Sequence, residues 1–211
     1  MVVVTMNVAI WVGGRKGHPF TKAGLLLREI ISSINDARIT TFDSKDLLEP
    51  GTLKEFDVIV SYTQGGWVLS PEEEESLFSF VSGGCGFIGV HGATASFKQN
   101  PNYHEFIGGR FTGHGLPRKY VAKVLIKEHP IMAGVHDFII KDEPYNHELQ
   151  RDKITILMAR ESKNESEPVV YSKFFNRGKI VYMAFGHFTR SFKNQDVRRL
   201  IINSVNWVIH T

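Results

Sequence analysis

One histidine stands where many α/β hydrolases carry their nucleophile. The apolar residues 86–90 are followed directly by His91 and Gly92. An apolar strand that ends in a tight, Gly-rich turn presents one side chain at the carboxyl edge of a parallel sheet, where a Ser or Cys nucleophile usually stands. An imidazole acts as a base, an acid or a metal ligand, and rarely as the lasting nucleophile of a hydrolase. The position favours proton transfer or metal binding, although His91 taken alone is equally consistent with a structural strand cap.

Further side chains of the same chemical kind lie elsewhere in the chain. His114 and His187 each adjoin a glycine, and Asp142 and Glu143 precede Tyr145. Imidazoles together with a carboxylate are what an acid–base pair or a divalent metal site requires. We rank Glu143 above Asp142 because Glu143 and Tyr145 share period-two spacing and can face the same pocket. The alternative for the acidic pair is a solvated turn before proline.

The spacing of these histidines does not match a local metal motif such as His-Glu-x-x-His. A divalent metal such as Zn would therefore have to be assembled from distant segments, with His91, His114 and His187 as candidate ligands. No cofactor is certain from the sequence. We interpret four further histidines as structural or surface residues. These are His104, His129, His136 and His210.

Gly-rich and polar clusters also follow two other apolar segments. Ligands of open parallel sheets bind at the carboxyl edge of the strands, so these clusters are candidates for substrate binding. Trp67 is either core packing or a stacking platform for a sugar ring. Arg15, Lys16 and His18 either hold an anion or are solvated. The predicted substrate-binding residues are Gly14, Gln64, Trp67 and Tyr145.

The lone cysteine, Cys85, precedes an apolar strand instead of following it. We therefore expect Cys85 near the end of the sheet opposite the site, where no thiolate chemistry is expected. It has no partner for an internal disulfide. A Cys-dependent hydrolase or amidotransferase is disfavoured.

Alternating strands and helices in the first half of the chain must position these residues. A helix is predicted over 21–36 with Thr21 as its cap, and another from Ser70, where a capping box and Pro71 fix the start, to Gly83. This alternation predicts a parallel sheet with helices on both faces. The predicted strands cover residues 7–12, 38–42, 57–62 and 87–90.

The second half is less regular, and its short spacing between strands predicts antiparallel pairing at one side of the sheet. A terminal amphipathic helix is predicted from about 195 to 210. There is no internal repeat or linker, so a single domain over 1–211 is the economical interpretation. The predicted strands cover residues 120–126, 138–141, 154–159, 169–172 and 180–185.

Length and composition exclude several functional classes. The chain has 211 residues, 42% hydrophobic and 22% charged, with a net charge of +3. Scattered basic residues give no support for nucleic-acid binding. No apolar run approaches the eighteen or more residues of a membrane span, and residues 2–4 are too short for a secretory core, so we expect a cytoplasmic protein without a membrane partner.

Several motifs follow one another along nearly the whole chain. They are GGCGFIGVHGA at 83–93, YHEFIGGRFTGH at 103–114, HPI at 129–131, DEPY at 142–145 and GH at 186–187. Together they resemble the ThuA-like (trehalose utilisation) family. The resemblance implies a fold similar to class I glutamine amidotransferases, a flavodoxin-like three-layer α/β/α sandwich with a mostly parallel central sheet, in which a histidine replaces the nucleophilic Cys.

The resemblance also implies function. It assigns His91, His114, Glu143 and His187 to the pocket and implies a role in disaccharide metabolism, on 3-keto sugars made by a partner dehydrogenase. Pro144 departs from the Leu or other residue that many relatives have before Tyr, a change that would alter the loop placing Glu143.

Two hypotheses follow. The first is an enzyme, a keto-sugar isomerase or a lyase or hydrolase, in which Glu143 or His91 abstracts a proton and His114, His187 or a metal stabilises the oxyanion. The second is a noncatalytic sugar-binding or regulatory module on the same scaffold. Both take a small sugar as ligand, and both leave homo-oligomer formation open.

Overall fold

The computed structural model describes residues 5–161 and 166–209. Residues 2–4 and His210, which the sequence analysis discusses, lie outside the described residues. The strands are β1 Met6–Gly14, β2 Ala37–Phe42, β3 Val58–Gln64, β4 Gly86–Val90, β5 Gly109–His114, β6 Arg118–Val124, β7 Phe138–Asp142, β8 Tyr145–Leu149, β9 Thr155–Glu161, β10 Ser166–Phe175 and β11 Gly178–Met183. The helices are α1 Phe20–Ile31, α2 Pro50–Leu53, α3 Pro71–Ser82, α4 Pro101–Ile107 and α5 Gln195–Ile209.

Nine strands form one sheet in the order β2-β1-β3-β4-β11-β10-β9-β6-β7. The first five of these strands pair in parallel, so their carboxyl ends meet at one edge. The remaining pairs are antiparallel, as the short strand spacing predicts. The parallel half therefore creates the edge at which a site can form.

A second, two-stranded sheet pairs β5 with β8, with His114 opposite Tyr145. The sequence analysis predicts neither strand, nor α4 before them. The Gly-rich residues 108–115 show no clean alternation of apolar and polar side chains, which is the signal that identifies a strand in a sequence. This small sheet carries His114 towards the edge of the large one.

The large sheet lies between two layers of helices. Successive residues of β4 face the two layers in turn. Gly86 faces α5 so closely that a Cβ there would lie 2.4 Å from Val208, whereas the ring of Phe87 packs against Phe106 of α4 with their centroids 5.1 Å apart. Helices thus cover both faces, as strands buried on two sides require. The flavodoxin-like three-layer sandwich is confirmed.

Two helix predictions differ in outcome. Helix α3 begins as predicted, with the Ser70 capping box and Pro71 in the first turn. Helix α1 begins at Phe20, one residue before the predicted cap, so Thr21 lies inside the helix and no side chain caps it. Because α1 ends at Ile31, Ile34 packs against the core from the following turn. In the described ranges, no helix is long and apolar enough to span a membrane.

Candidate functional site

His91 is fully buried at the end of β4, where it opens a 3-10 turn with a left-handed φ of 48°. Its Nδ1 lies 2.9 Å from the carbonyl oxygen of Ala184. A carbonyl only accepts, so Nδ1 carries the proton and Nε2 keeps its lone pair. Nε2 is buried and has no hydrogen-bond partner among residues 5–161 and 166–209. The burial lowers the pKa of His91 well below its usual value, which keeps the ring neutral.

Glu143 lies among three imidazoles. Its Oε2 is 3.0 Å from Nδ1 of His187 and 3.7 Å from Nε2 of His91, and its Oε1 is 3.7 Å from Nδ1 of His114. Only 10% of the Glu143 side chain is exposed. The residues that the sequence analysis selects from four separate segments thus lie together at one edge of the sheet, while their catalytic roles remain predictions.

Asp142, the neighbour of Glu143, has a structural role as a buried hydrogen-bond acceptor. Its Oδ2 accepts hydrogen bonds of 2.7 Å from the Gly186 amide and the Ser191 hydroxyl, and its Oδ1 accepts one of 2.9 Å from the Glu143 amide. Burial raises the pKa of Asp142, and these hydrogen bonds oppose that rise. Asp142 therefore ties the end of β7 to the loop that carries His187, and Glu143 is the carboxylate that faces the imidazoles.

His18, which the sequence analysis leaves between anion binding and solvation, belongs to the same cluster. Its ring centroid lies 5.3 Å from that of His91 and 5.2 Å from that of His187. Both of its ring nitrogens are buried and have no hydrogen-bond partner in the part of the chain that the structure describes. Burial, with a smaller contribution from His187, lowers the pKa of His18 to about 4. One ligand atom each from His18, His91, Glu143 and His187 lies within 4.8 Å of the others.

His114 stands at the mouth of the cluster. Its side chain is 42% exposed, and its Nδ1 lies 3.0 Å from the carbonyl oxygen of Gly115, to which it donates. Its ring stacks on Tyr145 at 5.9 Å. His114 lies outside the set of four ligand atoms that the described residues bring together, and His18 takes the place that the sequence analysis gives to His114 among the metal candidates.

The predicted substrate-binding residues divide into two groups. Tyr145 is buried with its ring 4.3 Å from that of His91, so it forms a wall of the cluster. Trp67 stacks on the buried Trp11 at 5.7 Å and covers Gly13, where a Cβ would lie 2.4 Å from the indole. The indole thus packs on the end of β1.

Gly14 and Gln64 join the ends of β1 and β3. The Arg15 amide donates a 2.7 Å hydrogen bond to the Gln64 carbonyl, and a Cβ on Gly14 would lie 2.2 Å from that same oxygen. The side chain of Gln64 lies against Gly92, where a Cβ would come within 2.7 Å of it. Gln64 thus supports the turn of His91 from the neighbouring strand β3, and Gly14 lets the end of β1 approach Gln64 closely.

A chain of buried polar groups lies behind His91, and the sequence analysis does not identify it. The Tyr182 hydroxyl donates a 2.8 Å hydrogen bond to the His91 carbonyl and accepts one of 3.0 Å from Thr94. Nε2 of His147 lies 3.0 Å from that hydroxyl, and Nδ1 of His147 lies 3.1 Å from Glu167. The only sequence signal for Tyr182 is its place in an apolar strand, which is equally typical of core packing.

Cys85 lies at the amino end of β4, away from the cluster, as predicted. It is half-buried, and its Sγ lies 3.8 Å from the carbonyl oxygen of Phe56. Burial raises the pKa of its thiol, so the reactive thiolate is disfavoured.

Fold and site together define a three-layer α/β protein with a buried histidine–carboxylate cluster at the carboxyl edge of its parallel strands. The chain belongs to the ThuA family, described as trehalose utilisation, whose family model matches residues 7–208. No curated protein matches the sequence.

Solved structures agree on the fold. A ThuA-like protein from Bacteroides uniformis is 18% identical, with 99% of this chain and 93% of that chain covered and a TM-score of 0.81. A ThuA-like protein from Parabacteroides merdae is 16% identical, with 98% and 90% covered and a TM-score of 0.83. A cytoplasmic protein from Salmonella typhimurium is 12% identical, with 96% and 99% covered and a TM-score of 0.67. At these identities the likeness establishes the fold alone.

Proposed function

We propose that this protein is a cytoplasmic enzyme of carbohydrate metabolism that acts on a keto-disaccharide or a related glycoside by proton transfer. Membership of the trehalose-utilisation family supports the substrate class. The observation that carries the chemistry is the position of Glu143, whose two carboxylate oxygens lie 3.0 to 3.7 Å from three imidazoles. A carboxylate held among imidazoles is suited to moving a proton in a partly dry site.

The chemistry starts from the carbonyl at the third carbon of a keto sugar. That carbonyl acidifies the C–H bond at the second carbon, so a base can remove the proton and leave an enediolate. Reprotonation at another position isomerises the sugar. Loss of the glycosidic oxygen from the first carbon, which is β to the carbonyl, instead cleaves the disaccharide by elimination. Either outcome needs a base, an acid and stabilisation of the developing oxyanion.

The positions of the side chains suggest how these roles are divided. Glu143 is the base, through Oε1, which faces the mouth where His114 stands. His114, the most exposed imidazole of the cluster, gives a proton to the leaving oxygen from Nε2 of its cationic ring, because its Nδ1–H is held by the Gly115 carbonyl. His91 and His18 have lowered pKa values, so they are neutral near pH 7 and orient the site instead of acting as proton donors.

The substrate has to be supplied by an oxidation, because a keto group on a disaccharide ring arises from a secondary alcohol. A partner dehydrogenase, as the family resemblance implies, fits that requirement. We propose a sequential relationship in which the dehydrogenase releases the keto sugar and this protein consumes it.

Incubation with 3-keto-trehalose, followed by chromatography of the products, tests the proposed function. The wild type should convert the sugar, and Glu143→Gln should be slower by about 10²-fold or more because the base is lost. His136→Gln is the matched control, since His136 is 80% exposed and pairs with Asp196 away from the cluster. Undiminished turnover by Glu143→Gln would overturn the proposal. Tight binding of the disaccharide without any product would favour the noncatalytic sugar-binding module.

A further inference from the structure

We infer that His18, His91, His187 and Glu143 form a binding site for a first-row transition-metal dication. The inference deepens the proposed function, since it names a cofactor for the same site, and it rests on that proposal only for the ion's role in the reaction. Binding of the ion can be measured whether or not any sugar is converted.

The distances between the four ligand atoms fit one ion. Each residue offers one atom within 4.8 Å of the others, and one pair, Glu143 Oε2 and His187 Nδ1, is 3.0 Å apart. Bond lengths of about 2.0–2.1 Å to nitrogen and oxygen place the ligand atoms of a tetrahedral ion roughly 3.3 Å apart. Small side-chain rotations close the remaining difference.

The polar atoms of the cluster lack the partners that buried polar atoms normally have. Within the described residues, no hydrogen bond reaches four buried ring nitrogens of the cluster, which are Nε2 of His91, both nitrogens of His18 and Nδ1 of His187. Nδ1 of His187 does not align for a hydrogen bond with Glu143 although the two atoms are 3.0 Å apart. Leaving a buried polar group without a partner is unfavourable, so these atoms favour a ligand that satisfies them. The same four residues each offer one ligand atom within 4.8 Å of the others, which is the arrangement that a shared ion would satisfy.

His91 also has the outer hydrogen bond that metal-binding histidines use. Its Nδ1–H donates to the carbonyl of Ala184, which fixes the tautomer and aims the lone pair of Nε2 into the cluster. The Tyr182 hydroxyl holds the carbonyl of the same residue. One hydrogen bond to the imidazole and one to the main-chain carbonyl thus fix the orientation of the His91 ring before any ligand binds.

The donor set selects the class of ion. Three neutral imidazoles and one carboxylate suit zinc and the neighbouring first-row dications, whereas Mg²⁺ and Ca²⁺ prefer oxygen ligands. Bound there, such an ion would polarise a carbonyl oxygen of the substrate. Coordination through Oε2 leaves Oε1 of Glu143, with His114 beside it, free to move protons.

Metal analysis of the full chain tests this inference. The protein is stripped with a chelator and titrated with Co²⁺, and the visible absorption of the bound ion and the stoichiometry by elemental analysis are recorded. We expect one ion per chain. His18→Ala should weaken Co²⁺ binding at least 10-fold, and His136→Ala should not change it. Far-UV circular dichroism checks the fold of each variant.

His114→Ala separates this site from the alternative that uses His114 as a ligand. It should retain stoichiometric Co²⁺. Loss of Co²⁺ in His114→Ala but not in His18→Ala would overturn the inference, as would the absence of tight binding of Co²⁺, Zn²⁺ and Mn²⁺ to the wild type. Turnover that persists in chelated protein would contradict the metal's role but not the proposed function. A bound ion without turnover of any keto sugar would contradict the function but not the site.

Discussion

The Tyr182 hydroxyl donates a 2.8 Å hydrogen bond to the main-chain carbonyl of His91. His91 has a left-handed φ of 48°, a conformation that costs a non-glycine residue about 1–3 kcal/mol. Tyr182 is itself held by Thr94 and His147. The main chain of the central histidine is therefore fixed by a buried network, and its imidazole is fixed by Ala184.

Tyr182→Phe should lower the free energy of unfolding by about 1–3 kcal/mol, because the buried carbonyl of His91 loses its donor. It should also weaken Co²⁺ binding by about 10-fold or more, as loss of an outer-shell contact does. Urea denaturation and Co²⁺ titration measure the two effects. Tyr171→Phe is the matched control, since the buried Tyr171 hydroxyl donates to Ile107 instead. Equal Co²⁺ affinity in the two variants would contradict a positioning role for Tyr182.

Asp142 and Glu143 should respond differently to removal of their charge. Asp142→Asn should destabilise the fold by about 1.5–3 kcal/mol, because its buried carboxylate accepts three hydrogen bonds, two of which hold the loop of His187. Glu143→Gln should leave the free energy of unfolding unchanged or raise it, because the carboxylate of Glu143 accepts no hydrogen bond from the described residues of the fold. Urea denaturation of both variants checks this contrast. Greater destabilisation by Glu143→Gln than by Asp142→Asn would contradict these assignments.

Lys173 should introduce a pH dependence of stability at alkaline pH. Burial lowers its pKa to about 8, so from about pH 8 to the ordinary value of 10.5 the unfolded chain binds more protons than the folded protein. The contribution of Lys173 to the free energy of unfolding therefore rises with pH across that window. Comparison of the wild type with Lys173→Met by urea denaturation at pH 7.5, 8.5 and 9.5 isolates the effect. The free energy of unfolding of the wild type should rise relative to that of Lys173→Met as pH rises. A difference in this free energy that stays constant with pH would contradict the prediction.

Local patterns predict much of the fold. Short stretches of sequence predict the buried strands of the parallel half and the capped start of α3. Apolar runs and a Ser-Pro-x-Glu capping box determine the structure of the residues that form them, without help from distant parts of the chain. The small sheet and α4 lack such patterns. Strand β5 contains two glycines and pairs with β8 through an irregular register. Its extended conformation therefore depends on pairing with β8 and not on a local sequence pattern.

Part of the cluster could also be predicted. His91, His114 and His187 all adjoin glycines, His91 and His187 at expected strand edges, and the period-two spacing of Glu143 and Tyr145 favours Glu143, as the family resemblance also does. His18 also adjoins a glycine, but its basic neighbours Arg15 and Lys16 leave anion binding and solvation both open for this loop. Its place among the imidazoles depends on the strand order β1-β3-β4-β11, which brings the end of β1 towards the ends of β4 and β11.

The proposed proton transfer can be tested directly by hydrogen exchange. When 3-keto-trehalose is incubated with the protein in D₂O, NMR should show loss of the proton at the carbon next to the keto group, before or together with product formation. Glu143→Gln should slow that loss by about 10²-fold or more relative to His136→Gln. Exchange at the wild-type rate in Glu143→Gln, or no exchange above the background with the wild type, would contradict the central claim that this cluster is a proton-transferring active site.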